Sequence, residues 1–171
     1  MKKLSFILIL AATIGGAYAQ ETYASLEDLP VNNKKVKVLN QEYLSAVQDK
    51  AAPRDAKYLE EIISQWDARK SSKFDSRRDP FKVMFNSNKG NVSVVFDNNG
   101  QVITSQETYK DVSLPLQLKK VIYHRYKEWN IINTKYKVSY EQNSDVRRTY
   151  HITLKKGEEE KRIKIDGGQL L

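Results

Sequence analysis

The chain has 171 residues, of which 29 are Lys or Arg and 21 are Asp or Glu, and its formal net charge is +8. It contains no cysteine, which excludes disulfide bonds, thiolate catalysis and thiolate metal sites. A chain of this length can bury about 68–70% of its unfolded surface, so it can fold around a hydrophobic core without covalent cross-links. The positive charge favours anionic partners.

The N-terminus carries the pattern of a secretory signal peptide. Two lysines precede an apolar run over residues 4–14, and Ala17 and Ala19 are small residues at the positions that signal peptidase reads. The run is shorter than the roughly 20 residues of a membrane-spanning helix. We therefore predict a signal peptide over residues 1–19, a flexible lead-in over 20–35, and no transmembrane segment after cleavage. The exported chain would then reside in the periplasm or outside the cell.

The first half of the remaining chain predicts a short strand and helical turn over 36–47, then a helix and three strands. Pro53 marks the helix entry, and an apolar stripe at helical spacing follows it: Tyr58, Leu59, Ile62, Ile63 and Trp66. Glu60 and Glu61 are expected on the opposite, solvated side of this helix. Alternating apolar residues predict strands over 81–85, 91–97 and 101–107. The segment 98–100, Asn-Asn-Gly, predicts a tight hairpin between the last two strands.

The second half repeats this order. Ser113 is expected to cap a helix that has Pro115 in its first turn. The apolar stripe of this helix contains Leu114, Leu118, Val121, Ile122, Tyr126 and Trp129. Three alternating strands follow, over 131–141, 149–155 and around 163–165, with a turn at 156–158. Leu118, Val121, Ile122 and Tyr126 are expected to pack against Val92, Val94, Phe96, Val138 and Ile152.

These patterns predict an α+β fold for residues 36–171. Its parts are two helix-plus-antiparallel-meander units (αβββ-like), at about 53–107 and 113–166. Because each helix has one apolar stripe and each meander one apolar face, we expect the helices to pack on one face of an antiparallel sheet. Whether the two halves are a true duplication is left open, since the identity between them is weak.

Several of these residues also carry a resemblance to a known family. The hairpin Val-Val-Phe-Asp-Asn-Asn-Gly-Gln-Val over 94–102, then Leu114 and Pro115, then Ile122, Tyr126 and Ile131, resembles the β-lactamase-inhibitor-like, PepSY-like family. Its members are small exported proteins found mainly in Bacteroidetes-type bacteria. The resemblance implies helices packed on antiparallel sheet and no catalytic residues. An inhibitory role toward a peptidase or β-lactamase is implied only by analogy of fold.

Catalytic and metal-binding patterns are not found in the sequence. His124 and His151 lie in different elements, and neither has a partner at metal-ligand spacing. No serine-hydrolase motif and no phosphate-binding loop occurs. The two glutamates at 60–61 are interpreted as a helix surface, and the three at 158–160 as a turn. We therefore predict a protein that is not an enzyme, with no metal site and no cofactor.

The strongest functional signal is a basic sheet face. If the apolar residues of the last three strands point toward the helix, their neighbours form one outward surface: Lys135, Lys137, Ser139, Arg147, Thr149, His151, Thr153, Lys155, Arg162 and Lys164. No acid interrupts this set in the predicted register. Its basic members are the predicted partner-binding residues: Lys135, Lys137, Arg147, His151, Lys155, Arg162 and Lys164. Tyr109, Tyr123 and Trp129 are additional candidates for exposed interface residues.

The preferred hypothesis is an exported, non-enzymatic binding module that holds an anionic protein or peptide on this sheet face. A nucleic-acid partner fits poorly with export and is not expected. The first alternative is an exported hydrolase or ligand-processing enzyme with an unfamiliar site. The second is a structural or stress protein of the cell envelope. Oligomeric state is left open.

Overall fold

The computed structural model describes residues 20–25, 37–78 and 80–167. The predicted signal peptide over residues 1–19 lies outside the described residues. Among the described residues, no helix combines the length and the apolar character needed to cross a membrane.

The described part of the chain contains helices and strands in the order β1, α1, α2, β2, β3, β4, α3, β5, β6, β7. The helices are α1 (Gln41–Val47), α2 (Arg54–Gln65) and α3 (Leu116–Arg125), with a 3-10 turn at Ala68–Lys70 after α2. The strands are β1 (Gln20–Ser25), β2 (Phe81–Asn86), β3 (Gly90–Phe96), β4 (Val102–Lys110), β5 (Asn130–Glu141), β6 (Arg147–Lys156) and β7 (Glu159–Asp166). The predicted α+β class is therefore confirmed.

All seven strands form one sheet in which they lie in sequence order. β2 to β7 are antiparallel neighbours, whereas β1 pairs in parallel with β2. The predicted hairpin is present between β3 and β4, where Gly100 has φ +78° and the Asp97 N–H donates to the Gln101 carbonyl at 2.9 Å. A left-handed backbone at Gly100 costs little because glycine has no Cβ.

The predicted flexible lead-in over residues 20–35 is wrong for its first part. Gln20–Ser25 forms β1, whose residues pair with β2 from Phe81 to Asn86; of the remainder, residues 26–35 lie outside the described residues. The strand predicted near residues 36–38 is not seen at 37–40, which have no regular structure. The helical turn predicted after it is present as α1.

One face of the sheet supplies most of the buried apolar residues. β2 and β3 alternate buried and partly exposed side chains, and β5 and β6 do so over most of their length. The buried set joins helix residues in one hydrophobic cluster that includes Phe85, Val92, Val94, Phe96, Leu118, Ile122, Val138 and Ile152. A strand sends successive side chains to opposite faces, so this alternation also defines an outer face.

α2 begins at the predicted entry beside Pro53, whereas the start of α3 differs from the prediction. Pro53 and Pro115 occupy the N-cap positions with nearly identical backbone angles, and neither helix has a side-chain cap. Ser113, the predicted cap of α3, is exposed. A proline at this position has no N–H to leave unsatisfied, and its ring restricts the backbone that enters the helix.

The buried face of α2 is rotated relative to the predicted stripe, and the buried face of α3 is narrower than predicted. α2 buries Ala56, Leu59, Glu60, Ile63 and Ser64, while Tyr58 is 53% exposed. α3 buries Leu118 and Ile122, while Val121 is 55% exposed. The expectations that Glu60 is solvated and that Val121 packs in the core are therefore wrong.

Replacing Gly90 by Ala is expected to destabilise the fold. A Cβ at Gly90 would lie 2.5 Å from Cδ1 of Tyr109, the residue opposite it in the β3–β4 pair. The Tyr109 ring is buried, and its hydroxyl donates to Glu107 Oε2 at 2.7 Å, so the ring cannot move aside freely. Overpacking of this kind costs about 1–3 kcal/mol. Urea denaturation measures this cost, and the methyl should cost less in a Tyr109→Leu background; an equal cost there would contradict the proposed clash.

Candidate functional site: a basic groove on the outer sheet face

The seven predicted partner-binding residues lie on the outer face of β5, β6 and β7. In the observed register Lys135 is opposite His151, and His151 is opposite Lys164, so these three form one row across the strands. Each alternates along its strand with side chains of the buried or half-buried set, such as Tyr136, Tyr150 and Ile165. The structure thus brings the predicted residues to a single face.

Five of the seven line a groove of about 660 Å³, which we call the basic groove. They are Lys135, Lys137, His151, Arg162 and Lys164. Arg147 and Lys155 are on the same face but are not among the lining residues. Thr108, Asn133 and Thr153 add hydroxyl and amide groups to the groove walls. Cationic and hydrogen-bonding groups are therefore both available to a ligand placed there.

The charge on this face is less uniform than predicted. β7 begins at Glu159. Glu159 and Glu160, which were interpreted as part of a turn, therefore belong to a strand. Glu160 consequently lies opposite Lys155 on the outer face and lines the groove. Asp166 likewise lies opposite Thr149 on this face. The expectation that no acid interrupts the set is wrong, although four cationic side chains still line the groove with one carboxylate.

The basic surroundings act on His151. Partial burial lowers the pKa of its imidazole, and the nearby ammonium groups of Lys137, Lys164 and Lys135 lower it further. A lowered pKa keeps this ring neutral near pH 7. At that pH His151 therefore offers a hydrogen-bond donor and an acceptor, and the net positive charge of the groove comes from Lys and Arg.

A bulge in β5 adds an apolar contact to the groove. The β5–β6 register shifts between Ile131 and Asn133, and Ile132, at the bulge, is 49% exposed and lines the groove. A bulge re-aims a side chain relative to the regular alternation. A ligand in the groove would meet this apolar side chain as well as the cations.

A second group of titratable residues lies inside the molecule. The Glu107 carboxylate accepts hydrogen bonds from Tyr43 at 2.9 Å, Ser105 at 2.8 Å and Tyr109 at 2.7 Å. Burial raises the pKa of both phenols well above the usual value, and the negative charge of Glu107 raises it further. Both phenols therefore remain donors. Tyr109 belongs to this network and is buried, so its prediction as an exposed interface residue is wrong.

Glu60 is the other buried carboxyl group. Its side chain has 0% exposure, and within the described residues neither of its oxygens has a hydrogen-bond partner. Burial, with repulsion from Glu107, raises its pKa to about 9. Desolvation favours the neutral acid, so Glu60 is protonated at neutral pH. Sequence reasoning missed this residue, although it follows Ala56 by four positions and precedes Ile63 by three.

Arg148 is a positive charge that acts on both of these buried acids. Its side chain donates to the carbonyls of Ala46 and Val47 at the end of α1, and it lies 3.9 Å from Asp49. Its charge lowers the pKa of Glu60 and Glu107, against the larger effect of burial. Because these groups are enclosed, their chemistry bears on stability and its pH dependence.

The remaining site predictions can be placed in the fold. Tyr123 is exposed on α3, and Trp129 is half-buried against the core. His124 is exposed in the last turn of α3. Within the described ranges, no three His, Asp or Glu side chains are grouped so that they could hold a metal ion.

Comparisons of the chain with family models, with curated proteins and with solved structures find no match. The resemblance to the β-lactamase-inhibitor-like, PepSY-like family stays a prediction, and the groove must be interpreted from its own geometry.

Proposed function

We propose that the protein is an exported, non-enzymatic binding module that holds an anionic protein or peptide partner in the basic groove. The observation that carries this proposal is the convergence of Lys135, Lys137, Arg162 and Lys164, from two strands, on one groove of about 660 Å³. Cations that are close together raise the local concentration of an anionic partner and favour its association. They also make binding sensitive to salt.

The proposal includes the finer architecture that leaves this face available. We infer two helix-plus-meander units, one with α2 and β2–β4 and one with α3 and β5–β7, whose helices cover the same side of the sheet. The element order supports this arrangement, as do buried contacts such as Trp66 against Phe85, with ring centroids 5.4 Å apart. The groove then lies on the side opposite the helices.

An exposed sheet face is polar in many proteins that bind nothing there. Three features favour a binding role over that simpler explanation. Lys135 and Lys164 lie in one row of the register, on either side of His151; the lining residues surround a groove; and Ile132 is exposed among the charges. A polar rim with an apolar contact is typical of recognition surfaces.

Charge reversal in the groove is expected to abolish partner retention. The test variant carries Lys135→Glu, Lys137→Glu and Lys164→Glu, and immobilised protein is used to capture partners from a cell-envelope extract, with each captured protein quantified. Six units of charge are changed, so a partner held by the groove should be retained at least about tenfold less. Salt should weaken the wild-type interaction in parallel.

The matched control reverses three exposed lysines away from the groove: Lys50, Lys120 and Lys127. Its net charge equals that of the test variant, so partners held by net charge alone should be lost equally from both. Thermal unfolding verifies that each variant is folded. Equal retention by the test and control variants would contradict the proposal.

A further inference from the structure

Helix α3 carries apolar side chains on its exposed face as well as on its buried face. Of the five large apolar side chains that are exposed among the described residues, three belong to this ten-residue helix. Leu116 is 66% exposed and Tyr123 is 57% exposed, and Val121 lies to one side of them. A single exposed leucine or tyrosine is ordinary, but three on one short helix form a patch that suggests a contact surface.

The same helix and its flanks are basic. Residues 112–127 include four cations and no acid: Lys119, Lys120, Arg125 and Lys127. The carboxylates at either end of this stretch lie beside cations from other strands or turns. Asp111 is 3.9 Å from Lys89, and Glu128 accepts a hydrogen bond from Lys156 at 2.6 Å. The positive charge of α3 is therefore not offset within its own segment.

The exposed apolar and basic groups share one side of the helix. Leu116, Lys120 and Tyr123 are spaced by four and three residues, which places them on one face, whereas Leu118 and Ile122 are the buried residues of α3. This buried pair packs in the core cluster, so the helix is already formed before any partner arrives. Most helical stability in proteins comes from packing of this kind, and a preformed helix has little conformational entropy to lose on binding.

We propose that the exposed face of α3 binds an anionic lipid surface. A helix face is convex, which suits a broad surface, whereas small-molecule sites are concave; no residue of α3 lines the basic groove. Leucine and tyrosine enter the boundary between lipid headgroups and acyl chains, and lysines beside them are attracted to anionic headgroups. The inference does not depend on the proposed function. With the helices on the side opposite the groove, as proposed above, a lipid-bound molecule would keep its groove accessible.

The test measures cosedimentation of the protein with lipid vesicles. One set of vesicles contains phosphatidylglycerol and phosphatidylcholine, and the other contains phosphatidylcholine alone. The protein is purified in the form in which the cell holds it, and all variants share the same N-terminus, so any contribution of the apolar run over residues 4–14 is common to them. We expect at least about tenfold stronger binding to the anionic vesicles, with a decrease as salt is added. Equal binding to both sets would overturn the proposal.

Two charge-reversal variants of equal net charge separate α3 from the groove. Lys120→Glu with Lys127→Glu should weaken binding to the anionic vesicles at least about tenfold, whereas Lys135→Glu with Lys137→Glu should bind them like wild type. Equal losses would show attraction by net charge alone, and a loss confined to the second variant would place the lipid in the groove; either result overturns the proposal. The capture experiment above counts retained proteins and this one counts lipid, so failure here leaves the groove proposal standing.

The apolar contact is tested at exposed positions, where truncation should leave the fold intact. Leu116→Ala with Tyr123→Ala should bind the anionic vesicles at least about fivefold more weakly, because apolar area in the interface contributes to binding. Tyr58→Ala on α2, where the side chain is 53% exposed, is the control and should bind like wild type. Thermal unfolding verifies each variant. Wild-type binding by the α3 variant would mean that α3 does not enter the lipid interface, which contradicts the proposal.

A second copy of the chain is the other occupant that this face could receive. It would appear in sedimentation velocity as a dimer that Leu116→Ala with Tyr123→Ala disperses. That result would overturn the lipid proposal, because the same side chains would then be covered by protein. A monomer that binds the anionic vesicles through α3 supports it.

Discussion

Replacing Glu60 by Gln is expected to stabilise the protein, and to do so more at pH 8 than at pH 5. Glu60 has 0% exposure, and burial is the main reason that its pKa rises from 4.5 to about 9. In the unfolded chain this carboxyl group is ionised above about pH 4.5, whereas in the folded chain it stays protonated. Folding at neutral pH must therefore take up a proton, at a cost that grows with pH.

The sign of the effect follows from the proton balance. Between pH 4.5 and about 9 the folded state binds more protons than the unfolded state, so the free energy of unfolding falls as pH rises. Each pH unit corresponds to about 1.4 kcal/mol for one group, and the penalty at pH 7.5 is up to about 4 kcal/mol. Gln keeps the shape of the protonated acid and has no proton to take up.

Glu107 also makes the free energy of unfolding depend on pH, in the same direction as Glu60. Burial raises its pKa, although the hydrogen bonds from Tyr109, Ser105 and Tyr43 oppose that rise. The Glu60→Gln variant should therefore retain a weaker decline of stability with pH. Urea denaturation at pH 5, 6.5 and 8 measures both slopes. Glu61→Gln, at the exposed neighbouring position, serves as the control and should leave the slope unchanged. An identical slope for wild type and Glu60→Gln would contradict the argument.

The burial of Glu60 was not predictable from apolar periodicity because its helix face contains few large apolar residues. The buried positions follow the spacing i, i+3, i+4, i+7, i+8 from Ala56, but Ala56 and Ser64 are small. The larger residues Tyr58 and Ile62 lie off this face and rotate the apparent stripe. The periodicity of apolar residues correctly predicts that this segment is a helix. It predicts the wrong buried face, because the largest apolar side chains do not all lie on that face.

The strands were predicted more closely because their signal is stronger. A period of two leaves two possible faces, and the apolar residues of β5 and β6 choose between them without conflict. This is why Lys135, Lys137 and His151 occur together on the outer face. The start of β7 was missed because Glu159 and Glu160 are poor strand formers. Their pairing with Lys156 and Lys155 is a cross-strand contact of the β6–β7 hairpin, and single-residue propensities do not include such contacts.

The parallel addition of β1 could not be derived from its own residues. Gln20–Ser25 has no run of alternating apolar side chains, so its composition suggested a lead-in segment. Its partner β2 contains alternating buried residues and would otherwise be an edge strand. The pairing depends on the unpaired backbone groups of the neighbouring strand β2, and the sequence of residues 20–25 contains no information about them.

Truncating Ile122 to Ala is expected to cost about 2–5 kcal/mol, through lost transfer free energy and the cavity that remains. Ile122 is 1% exposed and belongs to the same buried cluster as Leu118, Val138 and Ile152. Protein interiors are close-packed, so surrounding side chains fill such a cavity only in part. The loss is large against a typical stability of about 5–15 kcal/mol.

Val121 provides a matched control one residue away on the same helix. It is also β-branched, but it is 55% exposed, so Val121→Ala should change the free energy of unfolding by no more than about 0.5 kcal/mol. Lys137→Ala, on the outer face of β5, should have an equally small effect. Urea denaturation of the three variants measures the contrast. Similar losses for Ile122→Ala and Val121→Ala would mean that α3 packs through a broader face. A large loss for Lys137→Ala would instead place that side chain in a structural contact, and the groove would then be less free to bind a partner.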